Sequence, residues 1–224
     1  MAKVKDISEK LHYQLYDDFV VPEPAIGNGG GNLDGFATEP TFQTEMRKRD
    51  PRVIRFFVDV QNKTRLDTNL QAAGVLPSLN TFEARAMRVV AGSISEITNK
   101  TLITGSTPSS SRESAVLAEL IYNSVTTFLV GEKIMIEAPT FYFPAGAGVT
   151  PGSAFVANHG EADPMATFRF AEPVIIAPQQ NFRVEMLFPQ GVPGQGPPVG
   201  TLANILGPWR IWVVLDGYLT RDVQ

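Results

Sequence analysis

Cysteine is absent from the 224 residues, which excludes disulfides, thiolate metal sites and cysteine nucleophiles. Histidine is nearly absent, with only His12 and His159, so a cupin-like cluster of imidazoles cannot be assembled. The hydrolase elbow Gly-x-Ser-x-Gly is missing as well, and Ser106 and Ser109–Ser111 lie in a Ser/Thr/Pro stretch with no histidine nearby. No long apolar run occurs: each is broken by charge or proline, so no segment reads as a membrane-spanning helix. The opening Met1-Ala2-Lys3-Val4-Lys5-Asp6 lacks the apolar stretch of an export signal, which sets the expectation of a chain not secreted by that route. A basic excess is lacking too. Nineteen Lys and Arg face 23 Asp and Glu, giving −4 and a pI near 5.3, whereas dedicated nucleic-acid binders usually carry a basic balance.

What is present is apolar, turn-rich material. Forty-three per cent of residues are hydrophobic, enough for a sizeable core, and 19 glycines with 17 prolines imply many turns and loops. The length fits one large domain or one domain with an extended arm. Residues 1–50 read as the arm. Val4, Ile7, Leu11 and Leu15 recur at three- and four-residue spacing, which predicts a helix over 3–19. Such a helix would lie on its own domain or dock on a neighbouring subunit through Ile7, Leu11 and Leu15. Residues 21–44, centred on Gly29-Gly30-Gly31, read as a linker; no strand, helix and lysine flank them as a phosphate cradle requires.

From residue 51 to 224 the texture is that of strands. Ile54, Phe56, Val58 and Val60 alternate with Arg55 and Asp59. Phe82, Ala84 and Ala86 alternate with Glu83 and Arg85, and the phase then changes at Met87 and Val89 as a bulge would require. Residues 111–130 read as a short helical turn followed by a strand. Lys133–Glu137, with Ile134 and Ile136 inward, and Phe141-Tyr142-Phe143 read as further strands. Later come 166–170, 174–176, the row Phe182, Val184, Met186, Phe188, and the row Trp209, Ile211, Val213, Leu215; a long Pro/Gly loop fills 189–208. About eight short strands with little helix predict an all-β, antiparallel β-sandwich of single jelly-roll type.

Candidates for chemistry are few. His159, Glu161 and Asp163 would share one face if extended, as ligands of an oxygen-rich metal site would, but they also suit a polar loop between Pro151 and Pro164. The polar loop is the preferred reading, with no cofactor and no enzyme activity expected. Asp17-Asp18 reads as a surface acid pair. Arg47, Lys48, Arg49, Arg52 and Arg55, with Arg85 and Arg88 later, suit a subunit contact better than nucleic acid, because Glu45, Asp50 and Asp59 dilute them. Trp209 and Trp212 fall on opposite faces of the last strand, leaving Trp212 for an interface.

The stretch Trp209-Arg210-Ile211-Trp212-Val213-Val214-Leu215-Asp216-Gly217-Tyr218-Leu219-Thr220-Arg221 is similar to the closing strand of jelly-roll capsid proteins of tailless icosahedral bacteriophages. Thr68-Asn69-Leu70 through Leu76-Pro77 and Phe82, and Phe141-Tyr142-Phe143-Pro144-Ala145-Gly146, resemble further parts of that group. The resemblance implies a virion protein that meets copies of itself and other virion proteins through its sides. It leaves room for peripheral contact with an internal virion membrane. The family pattern is structural and carries no active-site residues across. Competing expectations are a phage tail or baseplate component and a carbohydrate-binding sandwich stacking sugars on Trp212, Tyr142 or Tyr218.

Overall fold

A computed structural model describes residues 8–21, 53–93, 120–144, 150–151, 157–158, 166–189 and 209–222. Ten strands are found among them: β1 (Ser8–Val21), β2 (Val53–Phe56), β3 (Asn80–Ser93), β4 (Val125–Val130), β5 (Lys133–Pro139), β6 (Thr150–Pro151), β7 (Ala157–Asn158), β8 (Phe168–Ile176), β9 (Phe182–Leu187) and β10 (Trp209–Asp222). Apart from the small β6–β7 ribbon they form two four-stranded antiparallel sheets, ordered β1-β10-β3-β8 and β2-β9-β4-β5. The protein is an all-β sandwich.

Alternation explains the layers. Leu15 on β1, Phe82, Ala84, Met87 and Val89 on β3, Val174 and Ile176 on β8, and Ile211, Val213 and Leu215 on β10 are buried. Ile54, Phe56, Phe128, Val130, Phe182, Val184 and Met186 join them in the same core from the second sheet. Each large side chain removed from water contributes about 1.5–3 kcal/mol before entropy is counted, so these facing rows are the main source of stability. The expected phase change in β3 is present. Asp216 pairs with Ala86 but Gly217 pairs with Ala84, so Arg85 is the extra residue of a bulge and the inward positions shift from 82 and 84 to 87 and 89.

Several expectations are corrected. The helix predicted over 3–19 is, in its described part, the 14-residue strand β1, paired with β10 from Ser8↔Asp222 to Val21↔Trp209. A spacing of four satisfies period two as well as period 3.6, so Leu11 and Leu15 share a face in either structure. Residues 8–21 therefore belong to the sandwich; the rest of 1–50 lies outside the described residues. β2 stops at Phe56 because Phe57 takes a left-handed backbone (φ 67°) that turns its ring into the core, so Val58 and Val60 do not continue the row. Phe141-Tyr142-Phe143 is not a strand: Thr140–Tyr142 is one 3₁₀ turn. Ile134 points outward, because a bulge between Phe128 and Leu129 of β4 changes the phase of its partner β5 and leaves Met135 and Ile136 against the core. The segments 166–170 and 174–176 are joined in β8, whose exposed Ala171, Glu172 and Pro173 sit at an irregularity on the sheet edge, where a proline is tolerated.

Candidate functional site

Three features of the described surface could do work. The first is a cluster of charges where β1, β10 and the 57–70 loop meet. Asp17 is 1% exposed and Asp18 3%, so the acid pair that reads as surface in sequence is buried. Asp17 lies in the inward row of β1 with Leu11, Tyr13 and Leu15, a position visible only once the segment is read at period two. Its Oδ2 accepts the Phe57 N–H at 2.6 Å and its Oδ1 accepts from Lys63 Nζ at 2.7 Å. Lys63 also donates to the Asp18 carbonyl at 2.7 Å. Arg210 on β10 places Nε 3.0 Å from Asp18 Oδ2 and a terminal nitrogen 3.1 Å from Asp67 Oδ1. The Arg210–Asp18 contact is close enough for an ion pair but misaligned for a hydrogen bond, so both atoms lack a hydrogen-bond partner.

The electrostatics follow from that geometry. Loss of water pushes the Asp18 carboxyl up to about 6, and the neighbouring Asp67 charge adds to the rise against the pull of Arg210 and Lys63. Burial also raises Asp17, against the hydrogen bond from Lys63 and that from the Phe57 amide. Asp67 goes the other way. Burial raises it, but the amide and hydroxyl of Thr64, each 2.7 Å from Oδ2, and the two cations outweigh the burial and hold it low.

The second feature adjoins the first. On the outer face of the first sheet, Gln14, Tyr16, Arg65, Leu66, Arg88 and Trp212 line an open groove of about 300 Å³. Trp212 donates its indole N–H to the Leu66 carbonyl at 3.4 Å, and the Arg210 guanidinium lies 5.3 Å from its ring. The Tyr16 hydroxyl donates to the Arg65 carbonyl. These contacts tie the rim of the groove to the 57–70 loop.

The third is an aromatic shelf at one end of the second sheet. Tyr122, Phe141 and Tyr142 are 69%, 46% and 54% exposed, with ring centroids 5.9 Å apart for Tyr122–Phe141 and 4.8 Å for Phe141–Tyr142. The turn that presents them is fixed from beneath. Thr140, buried, meets the hydroxyls of Ser124 at 2.6 Å and Thr126 at 2.8 Å, while Phe143 turns into the core. Sequence alone places these rings on a strand. The Pro139 that precedes them is the signal for a turn.

Of the residues expected to form an interface, Leu15 is in the core and Leu11 is half-buried in the same row, while Trp212 is at the groove. Ile7, Arg47, Lys48 and Arg49 lie outside the described residues, as do His159, Glu161 and Asp163. Arg55, Arg85 and Arg88 each face a carboxylate: Glu185 at 3.1 Å, Glu83 at 2.7 Å and Asp216 at 2.8 Å. Lys10 and Arg85, both bound to Glu83, each lie 4.9 Å from the Tyr218 ring, so part of its surface is already occupied. Among the described residues no three acidic or imidazole side chains are placed to hold a metal ion, and no helix is long and apolar enough to cross a membrane.

No family model, curated protein or solved structure matches the chain. The class that fold and surface define is an all-β sandwich with buried ion pairs and an exposed aromatic shelf.

Proposed function

We propose that this chain is a structural shell subunit, a coat or capsid protein of a virus, built as a single jelly roll that joins copies of itself through its sides. The jelly-roll reading is supported by the order of pairing. Setting aside the small ribbon, the first strand pairs with the last (β1–β10), the second with the next to last (β2–β9), then β3 with β8 and β4 with β5. A long hairpin rolled into two layers has this nested order. Fold alone does not fix function, so the assembly reading rests on surface.

The observation that carries it is the aromatic shelf. Three large rings held outward by a buried hydroxyl network are a poor choice for a surface meant for water, and aromatic residues are enriched where proteins meet. β5 and β8 are the edge strands on one side of the two described sheets, and a neighbouring copy is one means of covering such edges. Six arginines of the described sheets, Arg55, Arg85, Arg88, Arg183, Arg210 and Arg221, are paired with acids, with Arg169 the exception, which favours protein contacts over nucleic acid as the main partner.

Sedimentation velocity and negative-stain microscopy test the reading. The wild-type chain is expected to form oligomers or particles at neutral pH. Phe141→Ser/Tyr142→Ser is expected to sediment as a folded monomer, with unfolding free energy changed by no more than about 1 kcal/mol because both rings are half-exposed. A wild-type chain that stays monomeric at all concentrations removes the proposal.

A second reading, a carbohydrate-binding module, is favoured by the groove alone, where the indole of Trp212 lies beside Tyr16, Gln14, Arg65 and Arg88. Glycan-array binding that Trp212→Ala abolishes is the result expected of it; an array with no signal for the wild type ends it.

A further inference from the structure

We infer that Asp17, Asp18, Lys63, Asp67 and Arg210 form an acid-tightened clasp, which fastens the 57–70 loop to β1 and β10 and sets the position of Leu66 against Trp212. The inference stands on how the charges are arranged and is independent of whether copies assemble.

Three carboxylates face two cations in a place shielded from water. Asp17 and Asp18 come from β1, Lys63 and Asp67 from the loop, and Arg210 from β10. When all five are ionised, one negative charge has no counterpart. Asp17 has a near-ideal pair of donors, and Asp67 has the Thr64 amide and hydroxyl as well as Arg210. Asp18 is the member left over. Its Oδ1 stands 3.9 Å from Lys63 Nζ, its Oδ2 has only the misaligned Arg210, and it is 3% exposed. A proton on Asp18 removes the surplus charge and leaves Arg210 free to align on Asp67. Asp67 follows Leu66, whose carbonyl receives the Trp212 indole N–H, and Arg210 lies over the Trp212 ring. The state of Asp18 therefore reaches the groove through two contacts.

The sign is opposite to ordinary acid denaturation. The folded carboxyl titrates near 6 and the unfolded one near 3.8, so the native state holds more protons between those values. Stability contributed by Asp18 is lowest above pH 6 and grows as pH falls toward 4. Lowering the pH from 7.5 to 5 is expected to raise the folded-to-unfolded ratio by roughly tenfold through this group. Asp17, raised in the same direction, reinforces the trend.

The experiment compares urea unfolding of the wild type and Asp18→Asn at pH 7.5, 6.5 and 5. Asp18→Asn is expected to lose roughly a tenfold share of the pH response, whatever other groups contribute to both proteins. Should the variant fail to fold, carboxyl-carbon NMR of the wild type reads Asp18 directly, and a midpoint near 6 supports the clasp. In the same titration the Trp212 indole resonance, assigned by its loss in Trp212→Phe, is expected to shift with that midpoint. Parallel unfolding curves, an Asp18 midpoint below about 4.5, or an indole signal that does not follow it would each overturn the inference.

Discussion

Gly217→Ala is expected to prevent this protein from folding at 25 °C, a loss of more than about 4 kcal/mol. Gly217 sits on β10 at the bulge where the partner strand carries the extra Arg85. A Cβ built there would lie 2.0 Å from the Glu83 carbonyl oxygen, 2.9 Å from its carbon and 3.0 Å from Cζ of Phe82. Two of those atoms belong to the backbone of β3 and cannot swing aside as a surface side chain would. Relief would require β10 to separate from β3 at the centre of the sheet, where Phe82, Val213 and Leu215 are fully buried on either side of the bulge. Far-ultraviolet circular dichroism and urea unfolding of the soluble fraction measure the effect. Thr220→Ala, three residues along the same strand, is the matched control and is expected to change stability by less than about 1 kcal/mol. A Gly217→Ala protein with a wild-type midpoint would mean that the two strands do not approach as closely as described.

That glycine also shows what can be read in advance. A lone glycine inside an alternating strand already suggests close backbone approach, and the phase change at Met87 announces the bulge on the opposite strand. Rows such as Phe182, Val184, Met186, Phe188 could be placed because each alternates without interruption, and all four are buried. Sequence and structure part where two periods share a spacing or where a turn interrupts a good strand composition. Leu11 and Leu15, four apart, fit a helix and a strand alike, and only the 14 pairs with β10 decide between them. The period decides the fate of the acid pair. On a helix Asp17 and Asp18 are an ordinary polar patch, whereas on β1 Asp17 inherits the inward direction of Leu15. The partners that make its burial tolerable, Lys63 and the Phe57 amide, lie 46 and 40 residues away, and no local pattern joins them. The shelf is hidden in the sequence for a different reason: Phe141, Tyr142 and Phe143 have strand-like composition, but the 3₁₀ turn sends two rings out and one in.

The same buried pair yields the second large effect. Lys63→Met is expected to destabilise the protein by about 3 kcal/mol at pH 7.5, because removing one partner leaves the other charge desolvated and uncompensated. Asp17 is 1% exposed and would keep the Phe57 amide, which limits the loss without replacing the cation. The deficit carries a pH signature. Burial already raises the Asp17 carboxyl, and without Lys63 it rises further, so the folded variant binds a proton at a pH where the unfolded chain does not. Stability of the variant therefore recovers as pH falls through the folded value and is poorest above it. Asp17→Asn/Lys63→Met is expected to regain most of the loss at pH 7.5, since the amide oxygen can still accept the Phe57 N–H and no charge remains to be solvated. Its pH dependence should also be flatter than that of the single variant. Urea unfolding of the three proteins at pH 7.5 and 5 completes the cycle. If Lys63→Met matches the wild type at pH 7.5, or its deficit is the same at pH 5, Lys63 is not compensating a buried Asp17. The anchoring of the loop to β1 must then come from packing around Phe57 and from the hydrogen bonds that join Tyr16 and Gln14 to Arg65, Thr68 and Asn69.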